Sequence, residues 1–294
     1  MKAYPRVFTA MITPFKEDES VDFEGAQKLA RHLAANGSPG LVIGGTTGES
    51  PTLSKSEKLV LFKAVKEAVG TEGVVFAGAG SNSTHDSIRL TEEASRLGVD
   101  GIMAVTPYYN KPSQAGLYQH YKAIAGATDL PVLLYNVPGR TGVNMLPETV
   151  ARLAEIKNIF ALKEACGNTD QVSALKTLVS DDFLIYSGDD SLTLPMLAVG
   201  AYGVISVASH AAANLISQMI EEYLSGNVTA ACKTHTALFP LFKAMFITTN
   251  PVPVKKAAAL LGLPSSPPRL PLVEASAEET AIVRKALVNL GLLS

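Results

Sequence analysis

Residues 131–163 read PVLLYNVPGRTGVNMLPETVARLAEIKNIFALK. An apolar run from Pro131 to Leu134 ends at Tyr135, and Asn136-Val137-Pro138-Gly139-Arg140-Thr141-Gly142 has the composition of a loop. Pro147 to Ile156 then carries the apolar spacing of an amphipathic helix, and a second apolar run, Ile159 to Leu162, ends at Lys163. Continuous apolar runs joined by a helix are the mark of parallel strands covered on their faces.

The same alternation extends in both directions. Runs at Val7–Ile12, Leu41–Ile43, Val74–Ala77, Ile102–Val105, Val132–Tyr135, Ile159–Lys163, Leu184–Tyr186 and Gly203–Val207 give eight strands. Helical patterns separate them at Phe23–Ala35, Ser56–Val69, Thr84–Leu97, Ser113–Ala125, Pro147–Ile156 and Asp170–Leu178, with Asp22, Ser54, Ser83 and Thr169 as expected N-caps. An open doubly wound sheet competes with a closed barrel; near-uniform spacing and the count of eight favour the α/β fold of a (β/α)8 TIM barrel. Beyond about residue 227 the alternation stops. Thr229–Phe246, Val254–Leu261 and Ala277–Leu290 read as helices, so residues 1–226 are expected to form the barrel domain and 227–294 a C-terminal helical appendage.

Composition narrows the function classes. The chain of 294 residues is 47% hydrophobic and 18% charged, enough for a large core, and its net charge of -2 offers no basic field for nucleic acid. Cys166 and Cys232 lack metal-ligand spacing, and no apolar leader precedes Tyr4-Pro5, so a cytoplasmic address is expected. Ser191 to Ile220 contains no Asp, Glu, Lys or Arg, yet its prolines, glycines and polar residues, with a strand at Gly203–Val207, argue against a membrane span.

In such a barrel the chemistry gathers at the C-terminal ends of the strands. Lys163 stands at one. A lysine buried there loses hydration, which favours the neutral, nucleophilic amine; the plainer alternative is a strand-end lysine whose head reaches water. Gly45-Thr46-Thr47-Gly48 offers hydroxyls and backbone N–H groups suited to the carboxylate of a small oxo acid, or is an ordinary turn. It lacks the lysine of a P-loop, and Gly78-Ala79-Gly80 lacks the third glycine of a dinucleotide fingerprint. Tyr108, Tyr109 and Tyr135 can pass protons or fill the core, and Arg140 can hold a carboxylate or lie solvated. The five histidines form no ligand cluster, and Asp189-Asp190 reads as a helix cap before it reads as a Mg²⁺ site, so no metal is expected.

Gly45-Thr46-Thr47-Gly48-Glu49-Ser50, Pro107-Tyr108-Tyr109-Asn110-Lys111-Pro112, Tyr135 to Gly142, Lys163-Glu164-Ala165, Ser187-Gly188-Asp189-Asp190, Gly203 to Val207 and Asn250-Pro251-Val252-Pro253-Val254-Lys255 together resemble the dihydrodipicolinate synthase family, within the N-acetylneuraminate lyase superfamily. The resemblance implies a cofactor-free lyase that joins pyruvate to L-aspartate 4-semialdehyde through a lysine Schiff base, in lysine and diaminopimelate biosynthesis. It implies Lys163 as the imine-forming residue, with Tyr135, Thr46 and Tyr109 as proton relay. Thr47 would hold the pyruvate carboxylate, Arg140 that of the semialdehyde, and the backbone at Gly188 and Ile205 would line the pocket. It also implies a homotetramer, a dimer of dimers in which Tyr109 enters the neighbouring subunit's site. The sugar-acid lyases of the superfamily share the barrel and the lysine; Arg140 and the Thr46-Thr47 pair match the synthase branch better. A non-catalytic binding barrel is the rival from another class.

The family's allosteric site for lysine corresponds to Ser50, Lys55, Asn82, Asp86 and Tyr108. Lys55 and Lys58 replace the histidines of lysine-sensitive members, Pro51 an alanine and Asp86 a glutamate. A cation at Lys55 would repel the ligand's ammonium groups or compete for its carboxyl partners, so weak or absent inhibition by lysine is expected. A steady-state assay tests this, and a low-micromolar inhibition constant would reject it.

Overall fold

The computed structural model describes residues 4–294. Eight strands follow one another in sequence order around a closed barrel: β1 (Val7–Ala10), β2 (Gly40–Ile43), β3 (Val74–Gly78), β4 (Gly101–Val105), β5 (Val132–Asn136), β6 (Ile159–Glu164), β7 (Leu184–Ser187) and β8 (Gly203–Ser206). Their pairings are parallel. The helices are α1 (Phe23–Ala35), α2 (Lys55–Val69), α3 (Thr84–Ser95), α4 (Gln114–Ala125), α5 (Pro138–Thr141), α6 (Pro147–Ala154), α7 (Thr169–Lys176), α8 (Thr193–Ala198) and α9 (Ser209–Leu224). Three more, α10 (Val228–Ala244), α11 (Val252–Leu260) and α12 (Ala277–Asn289), follow the last strand.

The chain divides into two compact units, one made of residues 4–75 and 206–294, the other of Phe76–Ile205. In the first, α10 packs against α9 and α12 against α10 and α11. Buried His210 is locked there as a neutral ring: Ile12 N–H donates to its Nε2 at 3.1 Å, Nδ1 lies 2.8 Å from the Val207 carbonyl, and burial pushes its pKa down to about 4. In the second unit, successive pairings from β4 to β7 set the register that matters for the chemistry: Val105 faces Tyr135, Tyr135 faces Lys163 and Lys163 faces Tyr186.

Most of the capping expected from sequence is present. Asp22 accepts from Gly25 N–H, Ser83 from Asp86 N–H, and Ser54 forms a reciprocal box with Glu57. Thr169 does not cap α7. Asn168, with extended backbone at φ -123°, ψ 109°, accepts from Asp170 and Gln171 N–H, leaving Thr169 as the first helical residue. The apolar run Val7–Ile12 outlasts its strand, which ends at Ala10, although Met11 N–H still donates to the Val42 carbonyl at 2.9 Å. Ser191 to Ile220 spans α8, β8 and most of α9, and among the described residues no helix is long and apolar enough to cross a membrane.

Two glycines make room for rings on the neighbouring strand. Gly40 is in register with Phe8, and a Cβ there would lie 2.5 Å from the ring; Gly101 is in register with Phe76, where it would lie 2.2 Å away. Both rings are fully buried. Gly101→Ala is expected to cost about 1–3 kcal/mol of stability by overpacking. Urea unfolding measures it, and a loss near zero would contradict the packing described.

Candidate active site

β5 and β6 bring the central pair together. Because successive strand residues point to opposite faces, the pairing of Tyr135 with Lys163 and of Asn136 with Glu164 sorts the four side chains into two sets. Lys163 and Tyr135 share one face, both 5% exposed, with Lys163 Nζ 4.3 Å from the centre of the Tyr135 ring. Burial lowers the Lys163 pKa to about 8; the charge of buried Asp190 works against the shift and that of Arg140 with it. At pH 7 about one amine in ten is then neutral, against roughly one in three thousand at the ordinary lysine value.

Asn136 and Glu164 occupy the opposite face, where α7 supplies Gln171. Asn136 Nδ2 reaches both carboxylate oxygens of Glu164, at 2.9 and 3.1 Å; Cys166 N–H donates at 2.8 Å and Gln171 Nε2 at 3.1 Å. Asn144 closes the cluster, accepting from Asn136 at 2.7 Å and donating to Gln171 at 2.7 Å. Burial pushes the Glu164 carboxyl up, and these donors pull it back. The polar knot ties β6 to β5 one residue beyond Lys163 and so fixes the register on which the lysine's position depends.

β7 and its loop complete this side. Asp189 caps the turn that follows by accepting from Ser191 N–H and Oγ, both at 2.8 Å, as its sequence suggested; Asp190 is the buried carboxylate whose charge acts on Lys163. Gly188 must lack a side chain, since a Cβ there would come within 2.7 Å of Ala165 Cβ and 3.2 Å of Lys163 Cε. Ile205 on β8 is fully buried. Arg140 stands exposed on α5, a single helical turn in what the sequence presents as a loop. Tyr108 is half-buried, whereas Tyr109 is 89% exposed and held at φ 72°, a left-handed conformation that a tyrosine seldom adopts. Nearby, Asn110 Nδ2 donates to the Asn82 carbonyl at 2.8 Å, and exposed Asp86 lies 3.4 Å from His85.

The remaining candidates lie in the other unit. The turn after β2 is closed by Glu49 N–H to the Thr46 carbonyl and Ser50 N–H to the Gly45 carbonyl, both 3.1 Å. Thr47 is buried and Thr46 half-buried, with Ser50 half-buried and Lys55 exposed beyond them. Residues for which sequence reasoning had no role hold this turn. Asn250 Nδ2 donates to Thr47 Oγ1 at 2.9 Å; Glu49, buried at φ 57°, forms an ion pair with buried Lys255 and accepts from Arg269 N–H at 2.9 Å. Lys255 and Arg269 both sit on the Phe15 ring, 4.1 and 4.4 Å from its centre, and Arg269 grips Glu57. A lone Glu in a glycine-rich turn and the Lys255-Lys256 pair in an otherwise apolar helix were the available signals. Among the described residues no group of three or more His, Cys, Asp and Glu is placed to hold a metal.

Fold and site together define a (β/α)8 barrel with a desolvated lysine at the end of its sixth strand. Residues 3–290 match the model of the dihydrodipicolinate synthetase family, and the chain belongs to that family. It is 58% identical over 290 residues to the 4-hydroxy-tetrahydrodipicolinate synthase of Desulforudis audaxviator, covering 99% of each chain, and 57% identical over 291 residues to that of Desulforamulus reducens, covering 99% and 98%. Among solved structures it is similar to the enzyme of Cyanidioschyzon merolae, a dihydrodipicolinate synthase with lysine bound, at TM-score 0.97 and 49% identity over 99% of both chains.

The electrostatics of Lys163 have a measurable signature. Labelling by formaldehyde and cyanoborohydride, read by mass spectrometry, should rise with pH through a midpoint near 8. Asp190→Asn removes the anion that stabilises the ammonium and should lower the midpoint; Arg140→Ala removes a repelling cation and should raise it. An unmoved midpoint in Asp190→Asn would show that Asp190 does not set the lysine's charge.

Proposed function

We propose that the protein is a 4-hydroxy-tetrahydrodipicolinate synthase, condensing pyruvate with L-aspartate 4-semialdehyde through a Schiff base on Lys163 and serving lysine and diaminopimelate biosynthesis in the cytoplasm. The observation that carries this is Lys163 itself: a buried amine with its pKa brought to about 8, packed on a tyrosine ring, in a chain matching relatives of that name along its whole length. No cofactor is called for. Lys163 Nζ attacks C2 of pyruvate, the carbonyl oxygen takes a proton, and the carbinolamine loses water to leave the imine. The imine draws electrons from C3, which gives up a proton to form the enamine. Enamine C3 then bonds to the aldehyde carbon of the semialdehyde, whose oxygen takes a proton to become the 4-hydroxyl. The substrate's own amine attacks C2, closes the ring and expels the lysine.

In this scheme Tyr135 donates and accepts the protons of dehydration, relayed through Thr46 and Tyr109. Thr47 and adjacent N–H groups hold the pyruvate carboxylate, Arg140 holds that of the semialdehyde, and the backbone at Gly188 and Ile205 shapes the wall. The exposure of Tyr109 and its left-handed backbone suit a side chain that projects into a partner's site, in a homotetramer built as a dimer of dimers. Ser50, Lys55, Asn82, Asp86 and Tyr108 are assigned to a regulatory site of altered charge.

Borohydride added with pyruvate should leave a reduced pyruvyl group on Lys163, found by peptide mass spectrometry; an unmodified Lys163 sinks the mechanism. Turnover with aspartate semialdehyde, but not with N-acetylneuraminate or 2-keto-3-deoxygluconate, separates the synthase from the sugar-acid lyases.

A further inference from the structure

The turn that carries Thr46 and Thr47 is seated on α11 and the segments flanking it, and one contact there has a chemical direction. Asn250, 5% exposed, lies just ahead of α11 and directs its amide Nδ2–H at Thr47 Oγ1, 2.9 Å away. A threonine hydroxyl can accept and can donate one proton. With an accepted hydrogen bond occupying a lone pair of Oγ1, the hydroxyl proton is free to turn toward an acceptor. We infer that Asn250 is a positioning residue that commits the Thr47 hydroxyl to the donor role, so that it meets the carboxylate of the keto-acid substrate with a proton and not with a lone pair.

Asn250 is well placed to impose that choice because its segment is anchored independently. Five residues farther on, α11 carries Lys255, whose ion pair with Glu49 fastens the same turn two residues beyond Thr47. Glu49 also takes the Arg269 N–H, and Lys255 and Arg269 share the face of Phe15. The segments that carry the donor and the hydroxyl it addresses are thus fastened to each other by one network of buried contacts. A hydroxyl whose rotor is narrowed by an accepted bond has less orientational entropy to lose when the carboxylate arrives. The effect falls on affinity for the keto acid and leaves the second substrate's carboxylate untouched.

The inference rests on Thr47 as holder of the pyruvate carboxylate, and the experiment separates the two. Steady-state kinetics are measured on the full chain for Thr47→Val, Asn250→Ala, Asn250→Asp and the Thr47→Val/Asn250→Ala double variant. Asn250→Ala should raise the KM for pyruvate about tenfold, the scale of one hydrogen bond to a charged group, with the KM for the semialdehyde within twofold. Asn250→Asp keeps the shape but can only accept, so it captures the Thr47 proton and should raise the pyruvate KM further than alanine does. In the double variant the asparagine change should add nothing to the threonine change. A raised pyruvate KM in Thr47→Val with none in either Asn250 variant overturns this inference alone; multiplying effects in the double variant do the same. An unchanged pyruvate KM in Thr47→Val overturns the carboxylate assignment and this inference with it. If Asn250→Ala does not fold, the isosteric Asn250→Asp carries the test.

Discussion

Everything about the site follows from the desolvation of one amine. A lysine in water keeps its proton far above neutral pH, and removing the water from around it is the largest of the changes that favour the neutral, nucleophilic amine here, with the Arg140 charge adding to it. At the end of β6 that removal is nearly complete, with 5% of Lys163 left exposed. The protein then adjusts the result with two opposed charges, buried Asp190 and exposed Arg140, so that the amine is poised and not simply neutral.

Burial of this kind depends on register, and register depends on the face of the sheet turned away from the chemistry. Asn136, Glu164, Gln171 and Asn144 bond to one another and to the backbone of Met145 and Cys166, and Asn136 and Glu164 lie on the face opposite the lysine. A parallel pair shifted by one residue would turn Lys163 toward the helices and Glu164 toward the barrel interior. A buried carboxylate that finds its donors in only one register is a strong selector of that register. The first unit uses charge in the same way: Glu49 and Lys255 are each costly to bury alone and acceptable together, so the turn and the tail helix must arrive as a pair.

Much of this was legible in the sequence, for physical reasons. Strands buried on both faces are apolar throughout, so the eight runs stand out, and a helical tail breaks the alternation abruptly at about Asn227. The lysine was visible because it ends such a run. What stayed hidden were groups whose importance comes from distant partners. Glu164 reads as a polar residue at a strand end until Asn136 and Gln171 are beside it, and Asn250 reads as part of a turn before a proline until Thr47 is 2.9 Å away. Thr169 and Asn168 are both fair caps by type, and only the extended backbone at Asn168 decides between them. Asp190 could be seen as an acidic residue near a helix start, but its effect on Lys163 is a matter of depth, which sequence does not record.

The rings of Phe8 and Phe76 and the bare backbones of Gly40 and Gly101 are, in effect, two halves of single joints. Each half is meaningless by itself: a bulkier residue opposite the ring collides, and a smaller residue opposite the glycine leaves a void. Drift at these places therefore requires a coordinated exchange, volume surrendered on one strand and taken up on its neighbour in the same step. The joints are ratchets in sequence space, resisting single substitutions from either side and yielding most readily to compensated double ones.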